Sequence, residues 1–485
     1  MIMEFKGKNI SVIGLARSGV GAANLLARLG AIVYAVDKKG KEQLIDSIAE
    51  LDSRVKTSLG GYDAAQLNSS DMIVISPGVP LSEIEKMVSS NIEIIGELEL
   101  AYRVLNMLES PPLVLAITGT NGKTTATTLL GEILKRDRKK VLVAGNIGNA
   151  ITTELLKLQI SPQGIESNLD IEVILLEASS FQLETIARFR PQGSAILNIA
   201  PDHLDRYRDF IDYAEAKYRI FLNQNSEDFI VLNADCQKTY EAGQKLGRIG
   251  PEVYYFSSTK EVTGAYCSNG AIHFNLPTGR VKINADGQEF NDLDLKIETK
   301  YILLKGSHNI ENIMAVSLMA LLCGCSFQSI KETVKEFQGL HHRIEYVGEI
   351  NGVKYYDDSK ATNVDAVVRA LESFESIILI AGGRDKDGDF SALSKPLEKK
   401  ARAIVLIGEA KDKINEAINK PSITYMEETM KDAVLRAKGI AQKGDVVLLS
   451  PACASFDMFR DYADRGMCFS KEVRRNMEGI DNAAR

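Results

Sequence analysis

Leu113-Val114-Leu115-Ala116-Ile117 runs without a break into Thr118-Gly119-Thr120-Asn121-Gly122-Lys123-Thr124-Thr125, and a helical pattern follows. A strand, a glycine-bearing turn, a lysine–threonine pair and a helix are the parts a triphosphate needs. Glycines let backbone N–H groups wrap an anion, the helix N-terminus adds partial positive charge, and the lysine neutralises phosphate oxygens. The Thr124 hydroxyl suits Mg2+. The usual spacing would put a glycine at position 117, where this chain has Ile117, so the loop is a shortened variant. No Asn-Lys-x-Asp guanine reader occurs, which argues against a GTPase. The loop alone does not separate kinases, pumps and ligases.

Outward from this loop, short β-type runs alternate with longer helical stretches, the pattern of α/β domains with mostly parallel sheets. Before it, strands are expected at 9–13, 32–36 and 73–75, with a tight turn at 14–21 and a helix at 22–29. Ser110-Pro111-Pro112 marks a boundary. After the loop, strands are expected at 141–143, 173–176 and 195–198, and a helix at 309–322. Between about 250 and 300, short alternating segments with Gly264, Gly270, Gly279 and Gly287 suggest a small antiparallel insert. Past Phe337-Gln338-Gly339, strands at 354–356, 377–381, 404–407 and 446–449 predict a third α/β unit. The expected division is 1–110, 111–339 and 340–485.

The 485 residues exceed one compact core, in keeping with several domains. The formal charge of −7 argues against general affinity for nucleic acid or anionic membranes. No apolar run approaches the roughly 20 residues needed to span a bilayer, and residues 1–9 carry no apolar signal core. Six scattered cysteines form no zinc-type pair and read as reduced thiols. The expected compartment is the cytoplasm.

Two further strings bear on the chemistry. The apolar run 173–176 ends in Glu177, an acid at the tip of a sheet strand, where open α/β sheets bind ligands and where Mg2+ finds oxygen donors. Asn198-Ile199-Ala200-Pro201-Asp202-His203-Leu204-Asp205-Arg206-Tyr207 likewise follows a strand, and His203 reads either as a metal ligand or as a helix-start residue. Lys217, on a helix expected over 212–221, reads by itself as a surface lysine. Gly14, Gly19 and Gly21 do not make a dinucleotide fingerprint, although Asp37 closes the second strand as a ribose-binding acid would. An ordinary strand–helix turn explains them as well.

Taken together, Thr118–Thr124, Gly145-Asn146-Ile147-Gly148, Glu177–Glu184, Asp202–Tyr207, Gly306-Ser307-His308-Asn309 and His342-Arg343 resemble the Mur ligase family of peptidoglycan precursor synthesis. Within it, Asp357-Asp358-Ser359-Lys360-Ala361-Thr362-Asn363 and Ser450-Pro451-Ala452-Cys453-Ala454-Ser455-Phe456-Asp457 look like the members that add D-glutamate. The resemblance implies three domains: a Rossmann-like N-terminal one for a UDP-linked substrate, a P-loop ATPase centre, and a Rossmann-like C-terminal one receiving the amino acid. It implies ATP and two Mg2+ ions, with UDP-N-acetylmuramoyl-L-alanine and D-glutamate as substrates and a monomer as the working form. Gly119, Thr120, Asn121, Gly122, Lys123, Thr124 and Thr125 would cradle ATP, with Asn309 near adenine and Arg343 and Asp358 also on the nucleotide. Thr124 and Glu177 would share one Mg2+. His203 would hold the second, helped by Lys217, which matches the family lysine that becomes carbamylated. Asn146 would contact the substrate and phosphate region. Leu15, Arg17, Asp37, Lys38 and Ser76 would take the uridine diphosphate portion, and Lys360, Thr362, Lys386, Ser455 and Phe456 the D-glutamate. Read without the resemblance, Lys386 sits in a charged loop that solvent alone could explain.

Three alternatives stay open from the residues. One is a sister amide ligase adding another amino acid or extending folate with glutamate. The others are a P-loop ATPase that makes no bond, and a non-enzymatic nucleotide-binding module.

Overall fold

Apolar runs such as Val173–Glu177 and Ile377–Gly382 are buried along their whole length, as strands covered on both faces must be. They build the three large sheets, beside a two-stranded one at Gln159–Ser161 and Gly164–Glu166, in a computed structural model that describes residues 4–146, 148–157, 159–161, 164–166, 170–203, 206–246, 250–277, 295–304, 306–386, 388–418 and 423–483. The chain divides into two compact units: Met1–Ile199 with Ile211–Ile297 and Ile313–Val334, and Ala200–Phe210 with Glu298–Asn312 and Lys335–Arg485.

In the first unit, a five-stranded parallel sheet has the order Lys56–Leu59, Ile32–Asp37, Asn9–Ile13, Met72–Ile75, Glu93–Gly96. The order reverses between Asn9–Ile13 and Met72–Ile75, so a crevice opens at their carboxyl ends, at Gly14-Leu15 and Ser76. The helix after the first strand begins at Arg17, not at residue 22 as the sequence suggested, and the turn shrinks to three residues. Close packing explains the glycines. A Cβ on Gly19 would lie 1.8 Å from the Gly14 carbonyl oxygen, so only glycine lets the helix start this near the strand.

The second sheet has nine strands. Its central members run Phe229–Asn233, Gly193–Ile196, Leu113–Thr118, Val173–Glu177, Val141–Gly145, all parallel where they pair. The 250–300 stretch is a continuation of this sheet more than a separate insert. Glu252–Ser257 pairs in parallel with Phe229–Asn233, Gly264–Ser268 follows in parallel, and antiparallel pairing begins with Ala271–Asn275. Gly279 and Gly287 lie outside the described residues. The helix Glu97–Leu105 carries a fully buried Glu99, whose Oε2 accepts the N–H groups of Ala187, Arg188 and Phe189 at 2.9 Å each. Arg103 donates to its Oε1 at 2.8 Å, so the buried charge is both paired and hydrogen-bonded.

In the second unit a six-stranded sheet runs Glu345–Ile350, Val353–Asp357, Val446–Leu449, Ile377–Gly382, Ala401–Ile407, Ile423–Met426, antiparallel only at the first pair. Side chains alternate between two cores. Ile377, Leu379, Ile404 and Leu406 join one cluster, and Ile378, Ile380, Val405 and Ile407 the other. Helices cover both faces, as expected of a doubly wound sheet. Among the described residues no helix is long and apolar enough to cross a membrane.

Candidate active site

The strand Leu113–Thr118 delivers the chain into the loop, and Gly122 at φ +83° starts the helix Lys123–Arg136. Gly119, at φ +155°, leaves little room for a side chain: a Cβ would sit 3.2 Å from that of Leu197 and 3.4 Å from the Asn198 nitrogen. Asn198 holds the turn from that side. Its Oδ1 accepts the Asn121 N–H at 2.9 Å, its Nδ2 donates to the Asn121 carbonyl at 3.1 Å, and its own carbonyl accepts the Thr120 N–H. Lys123 Nζ donates to the carbonyls of Gly119 and Thr120, both at 2.8 Å. Lys217 Nζ donates to the same Gly119 carbonyl at 2.9 Å and lies 4.6 Å from the Tyr213 ring centroid. Two ammonium groups thus stand behind one phosphate-type loop. Lys217 is no surface lysine; it is 1% exposed.

Sheet register places Ile117, Glu177 and Gly145 side by side. Glu177 is the last residue of its strand and is 1% exposed. Asn146 Nδ2 donates to its Oε1 at 2.7 Å, while the Asn146 N–H donates to its carbonyl. Its Oε2 is buried and has no partner among the described residues. An anionic oxygen with an open lone pair, fixed through its mate, suits a hard cation. Gly145, at φ +104°, makes this contact possible, because a Cβ there would lie 2.5 Å from the Glu177 carbonyl oxygen. Gly145→Ala is therefore expected to cost about 2 kcal/mol or more in stability, read as a lowered thermal midpoint; an unchanged midpoint would contradict this geometry.

A cavity of about 540 Å3 in the same unit is lined by Leu15, Arg17, Asp37, Ser76, Asn146 and Gln182, among others. Asp37 builds its turn: Oδ2 accepts the Leu15 N–H at 2.7 Å and Oδ1 that of Lys39 at 2.9 Å. Ser76 Oγ donates to the Gly14 carbonyl at 2.7 Å. Lys38 is not on this wall; it is exposed and paired with Glu83, and Lys39 takes its place.

The second unit carries a cavity of about 380 Å3 lined by Asp202, His203, Thr362, Asn363 and Lys386, with acids from the neighbouring loops. His203 adopts φ +55°, a conformation that non-glycine residues take at a cost and that clusters at functional sites. Leu204 and Asp205 of the same string, Ile147 of the Gly145–Gly148 string and Asp387 beside Lys386 lie outside the described residues. Ser455 is 2% exposed, whereas Phe456 is 63% exposed and does not line the cavity. Lys360 Nζ lies 3.5 Å from the Tyr462 ring centroid. Asn309 is buried next to His308, whose imidazole burial pushes down to about 4, with the Arg369 and Arg343 charges adding to the effect.

Asp358 is buried. Burial pushes its carboxyl up to about 7, although the hydrogen bond from Ser450 Oγ at 2.7 Å and the Arg343 charge pull the other way. Because this lies above the ordinary value of 3.8, Asp358 stabilises the fold fully below about pH 4, and that contribution is lost as pH rises towards 7. The stability advantage of the natural protein over Asp358→Asn is expected to shrink by about 2–3 kcal/mol between pH 5 and pH 8. Denaturant titrations at both pH values check this; an advantage that grows with pH would contradict it.

Several organising residues escape sequence reading. His342 Nδ1 lies 2.7 Å from Asp357 Oδ2, and the hydrogen bond to that carboxylate holds the imidazole above its usual value. Gly466 makes room for the pair, since a Cβ there would lie 2.2 Å from His342 Nδ1. Arg465, 1% exposed, donates to Ser359 Oγ at 2.9 Å, to the Ser359 carbonyl at 2.8 Å and to the Cys453 carbonyl at 3.1 Å. The adjacent Asp464-Arg465-Gly466 was the available signal, a lone basic residue beside a helix glycine.

Sequence profiles of the Mur ligase family match most of the chain: the MurD-like N-terminal domain at residues 8–96, the middle domain at 117–320 and the glutamate ligase domain at 342–453. The chain belongs to the Mur ligase family, ATP-dependent ligases that form amide bonds. Among its relatives, the UDP-N-acetylmuramoylalanine--D-glutamate ligase of Geotalea daltonii is 42% identical, covering 97% of this chain and 98% of that one. The ligase of the same name from Trichlorobacter lovleyi is 40% identical over 98% of this chain and all of its own length. The fold also matches MurF from Acinetobacter baumannii, with a TM-score of 0.58 at 16% identity over 99% of this chain and 92% of that one.

Proposed function

We propose that this chain joins D-glutamate to UDP-N-acetylmuramoyl-L-alanine in the cytoplasm as a monomer, with ATP supplying the driving force. The reading assigns residues 1–110 to the UDP portion, 111–339 to ATP and 340–485 to the amino acid. The observation that carries it is the unpartnered Glu177 oxygen on the strand beside a loop backed by Lys123 and Lys217. D-glutamate is supported by the relatives' name and by Lys386, a cation on the cavity wall that can meet a substrate carboxylate.

A carboxylate does not condense with an amine in neutral water, because resonance protects it and oxide is a poor leaving group. Transfer of the γ-phosphoryl of ATP to the carboxylate oxygen releases ADP and gives an acyl phosphate. The D-glutamate amine then attacks the carbonyl carbon, a tetrahedral oxyanion forms, and inorganic phosphate leaves as the amide closes. Two anions meet in the first step, so charge neutralisation dominates the barrier. Lys123 would leave the carbonyls of its own loop for phosphate oxygens, and Arg343 would add a second positive charge to the nucleotide. Thr124 and Glu177 would hold one Mg2+; a carbamylated Lys217 in the first unit and His203 in the second would be further metal donors. Bound there, the metal would supply Lewis-acid neutralisation of phosphate charge. Asn146 would orient Glu177. Leu15, Arg17, Asp37 and Ser76 would receive the uridine diphosphate.

The test is phosphate release from ATP with UDP-N-acetylmuramoyl-L-alanine and each of several amino acids. D-glutamate is expected to stimulate it strongly. Stimulation by L-lysine or meso-diaminopimelate, with none by D-glutamate, would overturn the substrate assignment.

A further inference from the structure

The cavity of about 380 Å3 in the second unit is lined by four acids and one lysine, a curious wall for a substrate with two carboxylates. Three of the acids are committed elsewhere. Asp385 is paired with Lys413 and accepts the Gly388 N–H at 3.0 Å. Asp365 accepts from Arg369 Nε at 3.0 Å, and Asp389 caps the turn at Phe390–Leu393 by accepting from Ser391. Neither Lys413 nor Arg369 lines the cavity. Asp202 differs in that a lysine beside it, Lys386, is itself on the wall, with Nζ 3.5 Å from Oδ1; the His203 Nε2 lies 3.7 Å from Oδ2.

The Asp202 carboxylate is fixed from behind. Asn363 Oδ1 caps the helix Val364–Leu371 by accepting the Ala366 N–H at 2.9 Å, which aims Nδ2 at Asp202 Oδ2, 3.0 Å away. The His203 N–H donates to Oδ1 at 3.0 Å. At 10% side-chain exposure, the carboxylate is held in place against the cavity. The contact with Lys386 is longer than a well-formed charged hydrogen bond, so exchanging it costs little.

A fixed anion on this wall repels both carboxylates of an acidic amino acid unless the substrate brings a cation to it. We propose that Asp202 receives the α-ammonium group of the incoming amino acid, while Lys386 leaves Asp202 for a substrate carboxylate; this rests on the D-glutamate reading above. One internal ion pair is traded for two with the substrate. Asp202 thereby selects amino acids over simple dicarboxylates and presents the nitrogen beside His203.

Full-length Asp202→Asn tests this, with glutarate, which keeps both carboxylates and lacks the amine, as a competitive inhibitor. KM for D-glutamate is expected to rise at least 30-fold, with the inhibition constant of glutarate unchanged or lower and the Mg2+ dependence unaltered. Asp202→Glu should recover part of the D-glutamate affinity. A KM within threefold of the natural protein, or KM and the glutarate constant rising together, would overturn the proposal and leave Asp202 a structural tie. Turnover of the natural protein with D-glutamate, measured alongside, tests the ligase reading separately. Were that turnover absent, the reading and the proposal would fall together, whereas turnover with parallel weakening of both ligands removes the proposal alone.

Discussion

Lys123→Ala is expected to lower the rate of amide formation by about 10³-fold while leaving a folded protein. A cation aimed at charge that develops on a transferring phosphoryl group is worth about 3–4 kcal/mol in the transition state. Lys123 is placed for this by the helix it begins and by the Gly119 and Thr120 carbonyls that hold its ammonium at the loop. Its structural share is small. Lys217 still donates to the Gly119 carbonyl, so truncation strands one acceptor and costs about 1 kcal/mol. Thermal melting should therefore move by a few degrees at most, which separates lost chemistry from lost fold. Lys123→Arg should not restore the rate, because a planar fork does not replace a compact point charge between two carbonyls. Turnover within tenfold of the natural protein would contradict this role.

Arg465→Met should produce the largest loss of stability, about 3 kcal/mol, registered by unfolding of the second unit. The guanidinium donates its hydrogen bonds to neutral oxygens: Ser359 Oγ and the carbonyls of Ser359, Cys453, Ala454 and Gly382. Burial pulls it down to about 10, yet it keeps its charge at any ordinary pH. Methionine matches the aliphatic length and removes the charge, which returns some desolvation energy. It also strands the buried carbonyls of Ser359 and Cys453, each costing about 1–3 kcal/mol. The loops concerned carry Lys360, Thr362 and Ser455, so KM for D-glutamate should rise as well. A stability change below about 0.5 kcal/mol would show that these loops hold their shape without the clamp.

The sheets were legible because strands buried on both faces read as unbroken apolar runs, as at Leu113–Thr118 and Val173–Glu177. Boundaries were less so. The helix starts at Arg17 because Gly19 tolerates a carbonyl at contact distance, and no local signal reports that tertiary fact. The 250–300 stretch looked like an insert because glycines break its period, yet backbone pairing with Glu252–Ser257 carries it into the central sheet. Within the candidate site, Lys123, Thr124 and Glu177 announce themselves by position after a strand. Lys217 and Arg465 do not, since a long cation on a helix reads as solvated until the structure buries it. Asp202 reads in sequence only as a neighbour of His203. Its ties to Asn363 and Lys386 span 161 and 184 positions of sequence, and spacing cannot disclose them.

The central claim is that ATP activates the acceptor acid as an acyl phosphate before the amine attacks. Turnover with UDP-N-acetylmuramoyl-L-alanine labelled with 18O in its carboxylate tests it most directly. One labelled oxygen per turnover should appear in the released phosphate, because the carboxylate oxygen that accepts the phosphoryl group departs with it. Phosphate released without label, while the amide still forms, would contradict the account.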